Sequence, residues 1–195
     1  MRRFFDILFT PSVRASQARH GSPYPDPAQL ADAPRTDAHL SEREAAFLAE
    51  RDSVYLASVS ETGWPYIQHR GGPPGFLRVL DPDTLAWAEF AGNRQYLTAG
   101  NVAADDRVSL FAMDYAARRR LKLIGHLSFH EAAERPDLAE AVGVAPYRAR
   151  VERVAVLRVA GFDWNCPQHI TPRFTAPEIE AAMRRARPEA AAAPG

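Results

Sequence analysis

Three basic segments hold the residues best suited to chemistry in this chain. Gln68, His69 and Arg70 run into Gly71-Gly72, Asn93, Arg94 and Gln95 follow Gly92, and Arg118 to Arg120 lead into Leu121 and Lys122. Guanidinium groups beside glycine-rich turns can bring cations and backbone amides onto one anion, so turns of this kind gathered together would hold a polyanion such as a phosphate. Each segment also has a plainer reading. Arg70 is an ordinary turn charge, Gly71-Gly72-Pro73-Pro74-Gly75 is a turn cluster, and Arg118 to Arg120 is a solvated hairpin in which alternation leaves only Arg120 and Lys122 on a common side. Cys166 and His169 have the spacing of a metal pair. A lone cysteine with no second paired ligand nearby argues against zinc, and a cysteine nucleophile would lack a base and its orienting group. The expected metal content is none.

The segments must be positioned by what surrounds them, and residues 52–130 string short apolar or alternating runs between Gly, Pro, Asp and Asn breaks. Runs of this length and spacing predict an antiparallel, mainly β sheet or barrel. The strands are expected at 54–59, from 64 or 66 onward, at 76–80, 85–90, 108–115, 121–129 and 151–162. Ser41 and Glu44 form a Ser-x-x-Glu capping pair opening a helix that ends near Arg51, and Thr175 and Glu178 repeat the device before a C-terminal helix. A short helix over 94–104 would begin at the Gly-Asn-Arg turn, placing free amides beside Asn93 and Arg94, where the helix dipole favours an anion. Another brief helix is expected at 136–142. The chain divides into an N-terminal arm (1–40), a barrel domain (41–176) and a helical then low-complexity tail (177–195).

Composition narrows the partner. The 195 residues hold 24 Lys plus Arg against 24 Asp plus Glu, so no overall basic field collects nucleic acid, and a small ligand is expected. The length suits one domain with appendages. One cysteine excludes an intrachain disulfide and fits a reducing compartment. The apolar run after Arg3 is short, contains Asp6 and stops at Pro11, which argues against a signal peptide or membrane span and for a cytoplasmic protein. His20 to Pro25 reads as an extended arm suited to packing on a partner subunit.

Taken together, Ser53 to Val59, Gly63-Trp64-Pro65, Arg70 to Phe76, Gly92-Asn93-Arg94 and Arg119 to Gly125 resemble the pyridoxamine 5′-phosphate oxidase-like family of FMN-binding split barrels. The likeness covers about residues 41–164. It is nearest to the family's flavin-nucleotide-binding branch, whose Trp-Asn-Cys-Pro-x-His-Ile motif is matched by Trp164 to Ile170. The resemblance implies a six-stranded antiparallel Greek-key split barrel that forms a homodimer, with FMN in grooves between the subunits. By the same likeness the flavin-lining strand falls on Gln68, His69, Arg70 and Gly71, and the phosphate clamp on Asn93, Arg94 and Gln95. The strand reaching the flavin from the second subunit falls on Arg119 to Lys122, with Arg120 in place of an amide. Trp164 is either a core residue or a flat wall for the flavin. The Arg-Leu-His-Asp-Arg signature of the vitamin B6 oxidases is absent, which removes the main reason to expect their substrate.

The cofactor implied would carry electron or hydride transfer itself. The leading expectation is therefore an FMN-dependent oxidoreductase for a small molecule, with His69 or His169 as the proton-transferring group. The alternatives are a flavin-binding, storage or redox-sensing module without turnover, and a haem protein using His69, His126 or His169 as axial ligand.

Overall fold

Alternation of buried and exposed side chains along the central segments produces seven antiparallel strands: β1 (Ser53–Val59), β2 (Pro65–Gly71), β3 (Leu77–Asp81), β4 (Thr84–Phe90), β5 (Arg107–Asp114), β6 (Arg119–Glu131) and β7 (Val151–Trp164). The computed structural model describes residues 3–22, 24, 36–144, 147, 149–164 and 168–186. Hydrogen bonding orders the strands β2-β1-β5-β6-β7-β4-β3 in one sheet. Two crossovers follow from that order, from β2 to β3 and from β4 back to β5. The family resemblance implied six strands. The seventh is the five-residue β3, which pairs only with β4 and extends the sheet by one edge.

The sheet curls round an apolar interior. Val54 and Leu56, Leu85 and Trp87, Leu110, Leu121, Leu123 and Leu157 are all at most 1% exposed and belong to one cluster. Burying such side chains contributes about 1.5–3 kcal/mol each against leaving them in water. On the opposite side of β4 and β7, a smaller cluster of Ala86, Ala88, Val142 and Val154 is also buried. Both faces of these two strands are therefore covered.

Helices close the periphery. They are α1 (Arg3–Leu8), α2 (Pro11–Arg19), α3 (Glu42–Ala49), α4 (Leu97–Ala104), α5 (Pro136–Ala141) and α6 (Ala176–Ala186). The start of α3 carries the expected box, with Glu44 accepting from the Ser41 backbone at 3.1 Å and Ser41 Oγ from Arg43 N–H at 3.2 Å. At α6, Thr175 N–H donates to Glu178 at 2.7 Å. Helix α2 lies at the start of the expected N-terminal arm: Thr10 caps it and Pro11 occupies its first turn, a pairing that favours helix initiation. The arm beyond Ser22 lies, apart from Tyr24, outside the described residues as far as residue 35.

Helix α1 is clamped by Asp37, whose two oxygens accept from Arg3 N–H at 2.7 Å and Phe4 N–H at 2.9 Å. It lies so close to β7 that a Cβ at Gly161 would stand 2.9 Å from the Phe4 nitrogen. Glycine at this position lets the helix dock.

Candidate anion pocket

Strand β2 is an edge of the sheet and β4 lies near the other edge, so the two meet without a backbone ladder. Side chains bridge the seam instead. Alternation on β2 turns Gln68 and Arg70 inward, half-buried, and leaves Ile67, His69 and Gly71 exposed. Arg70 Nε lies 2.7 Å from Glu89 Oε1 of β4, with 15% and 9% of the two side chains exposed. The contact is an ion pair without hydrogen-bond alignment, since the buried Nε–H has no hydrogen-bond acceptor. Glu89 also accepts from the Trp87 indole N–H at 2.8 Å. From α4, Thr98 Oγ1 accepts from Arg70 Nη2 at 3.3 Å and donates to Gln68 Oε1 at 3.0 Å. A continuous polar chain thus runs from Trp87 through Glu89, Arg70 and Thr98 to Gln68.

The loop before α4 forms the next wall. Arg94 and Tyr96 both take left-handed backbone conformations, at φ 60° and 52°, so the helix begins at Leu97, three residues later than its periodicity suggested. Its first amides have no side-chain cap. Asn93 Oδ1 accepts from Gln95 N–H at 3.1 Å and holds the turn. Tyr96 reaches across to β7, where its hydroxyl donates to Glu152 at 2.6 Å. The guanidinium of Arg153 sits between the rings of Tyr96 and Phe129, at 4.9 and 4.8 Å.

Together these residues enclose a pocket of about 160 Å³ whose lining includes Gln68, Arg70, Asn93, Arg94, Thr98 and Arg153. Three arginines face two glutamates, Glu89 and Glu152, leaving one net positive charge. A small anion would find cations and helix amides in one place.

The structure brings four of the sequence-selected residues into this pocket: Gln68, Arg70, Asn93 and Arg94. Gln95 is exposed beside it, with its N–H turned to Asn93. His69 and Gly71 line a separate shallow site with Asp52 and Ser53. The His69 ring stands edge-on to Tyr55 at 5.9 Å. The Tyr115 phenol, by its charge and hydrogen bond, pushes the Tyr55 hydroxyl above its usual range against the pull of Arg173. A Cβ at Gly71 would lie 2.9 Å from the His69 ring and 3.1 Å from the Asp52 carbonyl oxygen, so the exposed imidazole would have to move aside. Arg120 and Lys122 project from the outer side of the sheet. Arg120 lies 6.0 Å from the Phe111 ring, and Lys122 pairs with buried Asp163 at 2.9 Å.

Trp164 is placed elsewhere again. Its indole N–H donates to Glu44 at 2.6 Å, its ring meets Phe47 edge-on at 4.7 Å, and Arg43 covers it at 4.6 Å. Burial raises the Glu44 carboxyl, but the hydrogen bonds from Ser41 and Trp164 outweigh it and hold the group below its ordinary value. The residue bolts the end of β7 to α3, and an extended strand from Arg153 to Trp164 spans roughly 35 Å. His169 is exposed with φ 61°, and Cys166 lies outside the described residues. His126 is paired with Asp106 at 2.8 Å.

Glu89, Tyr96, Thr98, Glu152 and Arg153 were not apparent from sequence. A glutamate and an arginine inside strands read as solvent-facing positions. Only the register, which sets Glu89 opposite Arg153, brings both to the pocket.

Beyond the pocket, large apolar side chains stand exposed near the start of β2. Trp64 is 75% exposed and Ile67 64%, and beside them a groove of about 450 Å³ runs between Leu8, Val59, Pro65 and Ile124. No helix among the described residues is long and apolar enough to cross a membrane.

Known proteins fit this architecture. A conserved hypothetical protein from Mycobacterium tuberculosis superposes with TM-score 0.50 at 18% identity, covering 72% of this chain and 94% of that one. A Lactobacillus delbrueckii protein assigned to pyridoxamine 5′-phosphate oxidase gives 0.48 at 23% identity, over 66% and 96%. An FMN-binding protein from Syntrophomonas wolfei gives 0.46 at 12%, over 80% and 95%. No curated protein matches. The family model for pyridoxamine 5′-phosphate oxidase matches residues 40–165, more than half of the chain and the whole span of the seven strands, so the chain belongs to the pyridoxamine 5′-phosphate oxidase family.

Proposed function

We propose that this protein binds FMN, with the 5′-phosphate in the pocket between β2, α4 and β7, and uses it as an oxidoreductase acting on a small molecule. The observation that carries the reading is the convergence of Arg70, Arg94, Arg153, Thr98 and the uncapped start of α4 on one small pocket. The residues fit a phosphate. The net charge of the lining is positive, and Arg153 Nε is buried with no partner among the described residues, a donor that an anion's oxygen would satisfy.

Bound flavin supplies the hydride or electron transfer; the chain supplies binding, orientation and electrostatics. Arg94 and Arg153 provide charge at the phosphate end. The first amides of α4 provide neutral donors, which tolerate a dianion without adding repulsion elsewhere. On the outer face, His69 and Tyr55 are the groups positioned to exchange a proton with a substrate. The exposed apolar patch with Ile67 and Trp64 is the surface on which a second copy pairs through an isologous two-fold contact. Balanced charge and a single cysteine fit a cytoplasmic setting.

Titration of the purified protein with FMN tests the reading. Saturable quenching of flavin fluorescence, with an absorption band bleached by a reduced nicotinamide, is the expected result. Binding without reduction would support a carrier or sensor, and no binding would remove the flavin assignment.

A further inference from the structure

We propose that Arg153 is the phosphate-discriminating residue of the pocket, a third guanidinium that makes the site select a phosphorylated flavin over an unphosphorylated one. The inference rests on the flavin reading above and concerns a residue outside the sequence motifs.

Of the pocket's arginines, Arg70 is already engaged. Its Nε faces Glu89 at 2.7 Å and its Nη2 donates to Thr98 at 3.3 Å. Arg94 is exposed on a left-handed loop position, so its charge is diluted by water. Arg153 differs from both. Like that of Arg70, its Nε is buried without a hydrogen-bond acceptor, but no carboxylate among the described residues forms an ion pair with it, whereas Arg70 has Glu89. The adjacent Glu152 takes the Tyr96 hydroxyl at 2.6 Å.

Two aromatic rings pack against the guanidinium. The Tyr96 and Phe129 centroids stand 4.9 and 4.8 Å from its central carbon, which stabilises the cation, and the residue still lines the pocket. A rigid fork of this kind loses little freedom on binding and matches two phosphate oxygens. Tyr96 holds Arg153 through its ring and Glu152 through its hydroxyl, so the loop carrying Asn93 and Arg94 is latched to β7. The same side chain positions both sides of the pocket.

The test compares wild type, Arg153→Met and Arg153→Lys for binding of FMN, riboflavin and inorganic phosphate, the last read as a rise in the apoprotein melting midpoint. Losing one charge-assisted contact predicts FMN binding weaker by about 10–100-fold in Arg153→Met, riboflavin binding unchanged, and no stabilisation by phosphate. Lysine keeps the charge without the fork, and is expected to recover only part of the FMN affinity. It also serves if the methionine variant does not fold. Unchanged FMN affinity in either variant overturns the proposal, as does an equal loss of FMN and riboflavin, which would mark a structural role. Should wild type bind no flavin yet gain stability from phosphate only when Arg153 is present, the anion role stands and the flavin reading falls. FMN binding indifferent to Arg153 has the opposite meaning.

Discussion

Replacing Glu89 with Gln separates the two roles of the seam between β2 and β4. The carboxylate neutralises Arg70 at 2.7 Å, with 9% of the glutamate side chain exposed, and the strands share no backbone ladder there. Removing one member of a buried pair costs roughly 3–5 kcal/mol. Glutamine keeps the shape and still accepts from the Trp87 indole, so about 2–3 kcal/mol is the expected loss in the apoprotein. For a chain of this size that corresponds to a melting midpoint lower by about 4–12 °C. Ligand binding should move the other way. The lining changes from one net positive charge to two, and a unit charge about 6 Å from a phosphate at an effective dielectric near 20 is worth roughly 3 kcal/mol before solvent at the mouth reduces it. FMN should bind about 10- to 100-fold more tightly. Differential scanning fluorimetry of the apoprotein and a fluorescence titration with FMN read the two effects separately. An unchanged midpoint, or weaker FMN binding, would refute the assignment of Glu89 as the counter-charge of Arg70.

Arg94→Ala should weaken FMN binding by about 1.5–3 kcal/mol, the range for hydrogen bonds to charged groups; unaltered affinity in the same titration would move the phosphate elsewhere. Ile67→Glu, on the 64% exposed outer-face residue, should shift a wild-type dimer toward monomer in light scattering, whereas an intact dimer would place the interface on another surface. Asp114 tests the acid limb of stability. Burial raises its carboxyl, but the Ala117 N–H and the guanidiniums of Arg119 and Arg51 outweigh that and hold it below the ordinary value. A depressed folded-state value gives stability that is full above the unfolded carboxyl range and lost as pH falls below about 4. Asp114→Asn should therefore cost about 1–3 kcal/mol at neutral pH, with the gap to wild type closing in acid; a constant gap in denaturant melts down to pH 2.5 would contradict the linkage.

Much of the architecture was legible because it depends on neighbours in sequence. Period-two alternation marked the strands, and the Ser41–Glu44 and Thr175–Glu178 pairs marked two helix starts correctly. The start of α4 was misplaced because periodicity cannot see the left-handed turns at Arg94 and Tyr96. Helix α2 carried a local signal, Thr10 followed by Pro11, that the surrounding Pro, Ser and charge obscured. The pocket was half legible. Gln68, Arg70, Asn93 and Arg94 belong to continuous motifs, while Glu89 and Arg153 acquire meaning only from the register of β4 on β7. His69 was grouped with Arg70 by adjacency in sequence, although strand alternation sends neighbouring side chains to opposite faces. For Trp164 the sequence left a core role and a cofactor wall equally open, and the structure ties its indole to Glu44 of α3, a partner 120 residues away that no local pattern could name.

The left-handed positions before α4 carry a consequence for how this protein can change. Arg94 and Tyr96 hold positive φ with full side chains, at about 1–2 kcal/mol each, where glycine would sit without strain. The Tyr96 ring and hydroxyl hold Arg153 and Glu152 of β7, so glycine there would lose contacts worth as much as the strain it relieves. Arg94 lines the pocket. Selection for heat tolerance alone should therefore favour glycine in place of Arg94, and selection for anion capture should oppose it. At that position the routes to a hardier protein and to an anion-binding one diverge.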